Sequence, residues 1–206
     1  MSRLLFAVAV AAEAEAVLAG VGEHANVTIV GVGPAAAAAT TARQLALAEA
    51  AGIPYDTVIS AGIGGGFDGR VDIGEVAVAT VCVAADLGAE SPEGFLPLDE
   101  LGFGTTRLGC TVSLPIDGAA IGEILTVSTV TGTAEGTTAL RNRFPAAVAE
   151  GMEGFGVATA ALAAGVGFAE LRAISNLVGP RERAKWRIGA ALARLRAACV
   201  EALEAR

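Results

Sequence analysis

A carboxylate in GMEG at 151–154 and an amide closing RAISN at 172–176 lie about one helix apart in this 206-residue chain. Glu153 opens an apolar stretch of Phe, Val, Ala and Leu. There it either caps a helix or accepts hydrogen bonds from two ribose hydroxyls. Met152 beside it either fills the core or packs against the sugar or base. Asn176 precedes a Gly-Pro loop and is either a turn former or a base reader. Its NH₂ can donate to the imidazole-ring nitrogen and the 6-oxo group of a purine. A protonated acid at that position would donate to the ring nitrogen and accept from a 6-amino group. The amide therefore favours hypoxanthine or guanine over adenine.

Other residues carry weaker signals. Glu13 and Glu15 follow the first apolar run. A carboxylate there is placed to act as a general base on water, or it sits in the first turn of a helix where acids suit the dipole. GIGGG at 62–66 is either a tight turn or a backbone that a ligand approaches closely. It lacks the spacing of a dinucleotide or Walker fingerprint. Trp186, in RERAKWRI, is either a helix anchor or a lid over the ligand's tail, with Arg181, Arg183 or Lys185 meeting an anionic group. His24, the single histidine, sits in a polar turn and reads as surface.

The elements that must position these residues follow from the hydropathy pattern. Strands are predicted at 4–12, 26–32, 57–61, 72–84, 123–130, 146–150 and 168–175. Helices are predicted from Pro34 to Gly52, within 133–144, over 152–165 and from 182 to 204, with a short helix at 117–121 and an exposed loop at 86–98. Strands alternating with helices imply an α/β fold, with a mostly parallel, mixed sheet covered by helices on both faces. A single domain spanning 1–206 is expected. In such sheets ligands bind beyond the carboxyl ends of strands, so the segments at 13–15, 62–66, 131–133, 151–153 and 175–176 are placed to converge.

Composition bounds the partners. With 53% hydrophobic and 17% charged residues the chain has ample material for a core. A net charge of −8 argues against nucleic acid or an anionic membrane as partner and leaves small molecules open. Cys82, Cys110 and Cys199 are odd in number and show no metal spacing, which suits reduced thiols in the cytoplasm. The run SRLLFAVAVAAEA can be read as a signal peptide, but it suits a buried first strand better. No apolar run reaches the length of a membrane span.

Together AVAVAAEAEAVL (7–18), ISAGIGGGFDGRVDIGEVAVAT (59–80), FPAAVAEGMEG (144–154) and LRAISN (171–176) resemble the nucleoside phosphorylase/hydrolase superfamily, nearest its methylthioadenosine nucleosidase branch. The resemblance implies hydrolysis of an N-ribosidic bond with no cofactor. It implies that Glu15 activates the attacking water, with Glu13 the alternative, and that Glu153 binds ribose with Met152 packed beside it. It further implies a backbone shelf at Gly62, Ile63 and Gly64, a main-chain base contact at Thr133, and Ser175, Asn176 and Trp186 around the ligand. The aromatic that stacks on the base in that branch is missing near Gly132, and Phe155 is the substitute. Asn176 stands where that branch has Asp, which casts doubt on adenine. With SNLVGPRERAKWR it is similar to a branch that releases hypoxanthine. A homodimer or larger assembly is implied as well. Two other readings stay open: a phosphorylase, for which Arg43 and Arg70 are the nearby cations, and a catalytically silent nucleoside-binding domain.

Overall fold

The computed structural model describes residues 3–205. Leu4–Val8 (β1) is an all-apolar run with every residue buried. It pairs in parallel with Asn26–Ile29 (β2) on one side and Thr57–Gly66 (β3) on the other. Val76–Ala84 (β4), Ala120–Thr126 (β8), Ala147–Gly151 (β9) and Gly167–Leu177 (β10) complete the main sheet, and Arg107–Gly109 (β7) lies against β4. Because β10 pairs with both β3 and β4, the strands β3, β9, β8, β4 and β10 close into a ring. Five pairings are parallel and three antiparallel, so the sheet is mixed and mostly parallel, as expected.

Alternation along β1 shows how helices cover both faces. Leu5 and Ala7 face one core shared with Pro34–Ala50 (α2) and Gly154–Ala163 (α5). Phe6 and Val8 face a second core shared with Ala11–Val21 (α1) and Ile188–Glu204 (α6). On α6, Ala191, Leu195, Ala198, Cys199 and Ala202 are buried, the spacing of one apolar stripe. Small residues let α5 approach α2: a Cβ at Gly156 would collide with the backbone of Pro34. A third core gathers Phe67, Val83 and Leu125 with Leu140 and Phe144 at the end of Ala134–Arg143 (α4).

Several boundaries differ from the expectation. The first strand stops at Val8 because Glu13 caps a helix starting at Ala11. GIGGG is the end of β3 rather than a loop, with no positive φ at 62–66. Residues 86–98 hold a hairpin, Gly88–Ser91 (β5) with Gly94–Pro97 (β6), followed by Leu98–Leu101 (α3). The short helix expected at 117–121 is a turn leading into β8. The last helix starts at Ile188, not 182. Residues 183–185 form a 3₁₀ turn, and Trp186 lies between the two.

Candidate active site

The carboxyl ends of β1, β3, β9 and β10 border a cleft of about 250 Å³. Glu13, Ile63, Gly64, Met152, Glu153, Ser175, Asn176 and Trp186 line it, so segments far apart in sequence do converge.

Glu13 is buried on the first turn of α1. Its Oε2 accepts the N–H of Ala9 at 2.8 Å and of Val10 at 3.3 Å, and Oε1 accepts the N–H of Ile63 at 2.9 Å. These three donors tie the carboxylate to β1 and β3 at once. Glu15 is exposed on α1 and does not line the cleft. Of the two carboxylates expected here, the structure brings Glu13, the alternative, to the cleft and leaves Glu15 outside it. Gly62 explains why the shelf is glycine. A Cβ there would lie 2.6 Å from Glu13 Oε1 and 2.6 Å from Arg172 Nη1, so a close approach of side chains excludes any larger residue.

Glu153 is buried at the start of α5. Its Oε1 accepts the N–H of Gly33 at 3.2 Å, and Oε2 pairs with Arg172 Nη1 at 3.3 Å. Arg172 is fully buried. It also donates from Nε to Glu170 Oε1 at 2.9 Å and from Nη2 to the Ser60 hydroxyl at 2.9 Å. Burial pushes the pKa of this guanidinium down, but Glu170, then Glu153 and Glu13, hold it above its ordinary value. Burial likewise raises Glu170, against the opposing pull of Arg172 and the Cys82 thiol, which donates to its Oε2. A Cβ on Gly154 would collide with Glu170, so GMEG needs its second glycine to seat this carboxylate beneath α5. Arg172 and Glu170 were not anticipated. They lie in a strand whose flanks read as apolar, and only their pairing reveals them.

Asn176 is half-buried. The Ser175 hydroxyl donates to its Oδ1 at 2.8 Å, while its Nδ2 donates to Leu177 O at 2.9 Å. These contacts orient the amide and leave one N–H free for a ligand. A second cleft of about 280 Å³, lined in part by Asp68, Ile73 and Lys185, shares Asn176, Val178 and Trp186 with the first. The guanidinium of Arg181 lies 5.6 Å from the Trp186 ring centroid, and that of Arg183 6.0 Å.

Three further expected contacts do not line the cleft: Gly62, which lies against Glu13 and Arg172, and also Thr133 and Phe155. The Thr133 side chain accepts the N–H of Gly136 at 3.0 Å and caps α4, and Val130 and Thr131 line the cleft in its place. Phe155 is half-buried on α5, its N–H bound to the Thr126 hydroxyl at 2.8 Å, and it does not line the cleft. Among the described residues no Arg or Lys lines it either. Arg43 is exposed on α2, and Arg70 donates to the Phe144 and Ala147 carbonyls.

A model of the phosphorylase superfamily matches residues 9–204. The chain belongs to that superfamily. Among relatives of this phosphorylase-superfamily chain, a Streptomyces coelicolor protein named futalosine hydrolase is 57% identical over 149 residues, covering 70% of this chain and 63% of the relative. An Acidothermus cellulolyticus protein of the same name is 50% identical over 151 residues, covering 68% and 62%. The matches thus span somewhat under two thirds of either relative. A solved Helicobacter pylori futalosine hydrolase superposes with a TM-score of 0.83 at 18% identity, over 100% of this chain and 98% of that one. That likeness establishes a shared fold.

Proposed function

We propose that the chain hydrolyses the N-ribosidic bond of a 6-oxopurine nucleoside, with futalosine as substrate and hypoxanthine and dehypoxanthine futalosine as products, a step of menaquinone biosynthesis. The observation that carries this reading is the convergence of Glu13, Glu153 and Asn176 on one cleft without a lining cation. The names of the two relatives support the choice of futalosine.

The chemistry follows from the anchoring of each group. The C–N bond breaks as the anomeric carbon becomes oxocarbenium-like, and water adds to that carbon, much as in glycoside hydrolysis. Three backbone donors hold the Glu13 carboxylate still and leave acceptor capacity for a proton of the attacking water. Glu153, set against Gly33 and Arg172, keeps lone pairs for the ribose hydroxyls, with Met152 beside the sugar. The free N–H of Asn176 stabilises charge developing on the leaving purine. An amide cannot release a proton, so solvent completes protonation of the base. Trp186 borders the 5′ side as a lid.

A phosphorylase would require a cation for phosphate beside the sugar, and the lining supplies none. We further infer a cytoplasmic homodimer or larger assembly, supported by exposed Val10 and Val32 at the cleft mouth. Among the described residues no helix is long and apolar enough to cross a membrane.

Base release from futalosine, inosine, aminodeoxyfutalosine and methylthioadenosine, with and without phosphate, tests the reading. Phosphate-independent hypoxanthine from futalosine is the expected result. Adenine release in preference would refute it, phosphate-dependent release would make the chain a phosphorylase, and binding without turnover a silent module.

A further inference from the structure

Glu150 is a buried carboxylate that the hydrolytic scheme leaves without a role, although it lines the same cleft as Asn176. It lies on β9, paired with Gly65 of β3. Gly65 is also the partner of Asn176 on β10. A carboxylate and an amide thus flank one glycine at the same register. Strands are about 4.8 Å apart, so the two Cα positions are about 10 Å apart across Gly65. Both side chains line the one cleft, so a flat ligand lying over Gly65 can meet the carboxylate at one edge and the amide at the other. Gly65 leaves this floor without a side chain; a Cβ there would lie 3.0 Å from Val178 Cγ2 and 3.4 Å from Asn176 Nδ2.

Glu150 is also preset. Its Oε1 accepts the N–H of Thr131 at 2.9 Å and its Oε2 the Thr131 hydroxyl. These contacts use two of about four acceptor sites and leave the rest for a ligand. Every group that Glu150 holds is a donor, and no cation pairs with it among the described residues.

We propose that Glu150 is the second base-recognition residue, its carboxylate accepting the N1–H of a 6-oxopurine while Asn176 donates at the opposite edge. This assignment rests on the reading of the chain as a 6-oxopurine nucleosidase and names what that site recognises. A 6-oxopurine carries a proton on N1 and an acceptor at position 6. A 6-aminopurine carries a lone pair on N1, which an ionised carboxylate repels. The base is thereby read at both edges, and a wrong base leaves a buried charge unpaired, the costlier form of mismatch.

The experiment is calorimetric binding of hypoxanthine, 1-methylhypoxanthine and adenine to the wild-type chain, Glu150→Ala and Glu150→Gln. Wild type should bind hypoxanthine about 10–100-fold more tightly than 1-methylhypoxanthine, and Glu150→Ala should reduce that ratio to within about threefold. Glu150→Gln keeps the side-chain volume should the alanine variant not fold. It should weaken hypoxanthine and strengthen adenine, because its amide can donate to N1. The same methylation penalty in wild type and variant overturns the assignment. So does equal weakening of all three bases, which would mark Glu150 as a holder of the Thr131 loop alone, and so does absence of hypoxanthine binding by wild type. Failure of wild type to release hypoxanthine from futalosine, with these binding ratios intact, would instead sink the hydrolase reading and leave the base assignment standing.

Discussion

The Glu13 carboxylate accepts the backbone N–H of Ile63 at 2.9 Å, joining the start of α1 to the glycine shelf of β3 across fifty residues of chain. Two further N–H donors, from Ala9 and Val10, complete the clamp. A carboxylate held this way has a fixed orientation in the cleft, whereas Glu15, exposed on the same helix, has no such anchorage.

The two glutamates therefore separate in a rate assay. Glu13→Gln should lower kcat by about 10²–10⁴ and Glu15→Gln by less than about threefold. The reverse ranking would restore Glu15 as the base.

Asn176→Asp exchanges a fixed donor for a group that can carry a proton. Relative kcat/KM for aminodeoxyfutalosine over futalosine should rise at least about tenfold, read as adenine against hypoxanthine released. An unchanged ratio would remove Asn176 from base selection.

Arg172 neutralises two buried carboxylates, Glu170 and Glu153. Arg172→Met leaves both unpaired in the core, a loss of about 3–5 kcal/mol. At roughly 2–4 °C per kcal/mol the melting temperature should fall by about 10 °C. A calorimetric shift under about 2 °C would show that the pair contributes little.

Glu150 makes stability depend on pH. Burial raises its pKa, with the Thr131 hydrogen bonds opposing and Asp86 adding to the rise. The folded chain therefore holds this proton to higher pH than the unfolded chain, whose glutamates titrate near about 4.3. The stabilisation is complete below that value and is lost as pH rises through the raised folded value. Urea unfolding of wild type and Glu150→Gln should show wild type losing ground as pH climbs from about 4 toward neutrality. Parallel curves would place the Glu150 titration at its ordinary value.

Much of the architecture was legible in the sequence because its signals are local. All-apolar LLFAV announces a strand buried on both faces, Pro34 marks a helix start, Glu153 opens one recognisable run and Asn176 closes another. Their convergence was legible too, since strand ends in such sheets lie on one side. The choice between Glu13 and Glu15 was not. Two residues along a helix turn through about 200°, so one faces the cleft and the other solvent, and only the docking of α1 on β1 and β3 selects which. Thr133 and Phe155 lie outside the cleft's lining as well, where Val130, Thr131, Met152 and Glu153 stand instead, a difference of a residue or two that only the folded loop and helix ends decide. The glycines of β3 look like a turn in one dimension and are a strand in three, because the side chains of Glu13 and Arg172 occupy the space above Gly62. Glu150, Glu170 and Arg172 read in the chain as charges in strands, where solvent would ordinarily meet them. Closure of the strand ring buries them, and burial obliges each to find the partners that give it a role.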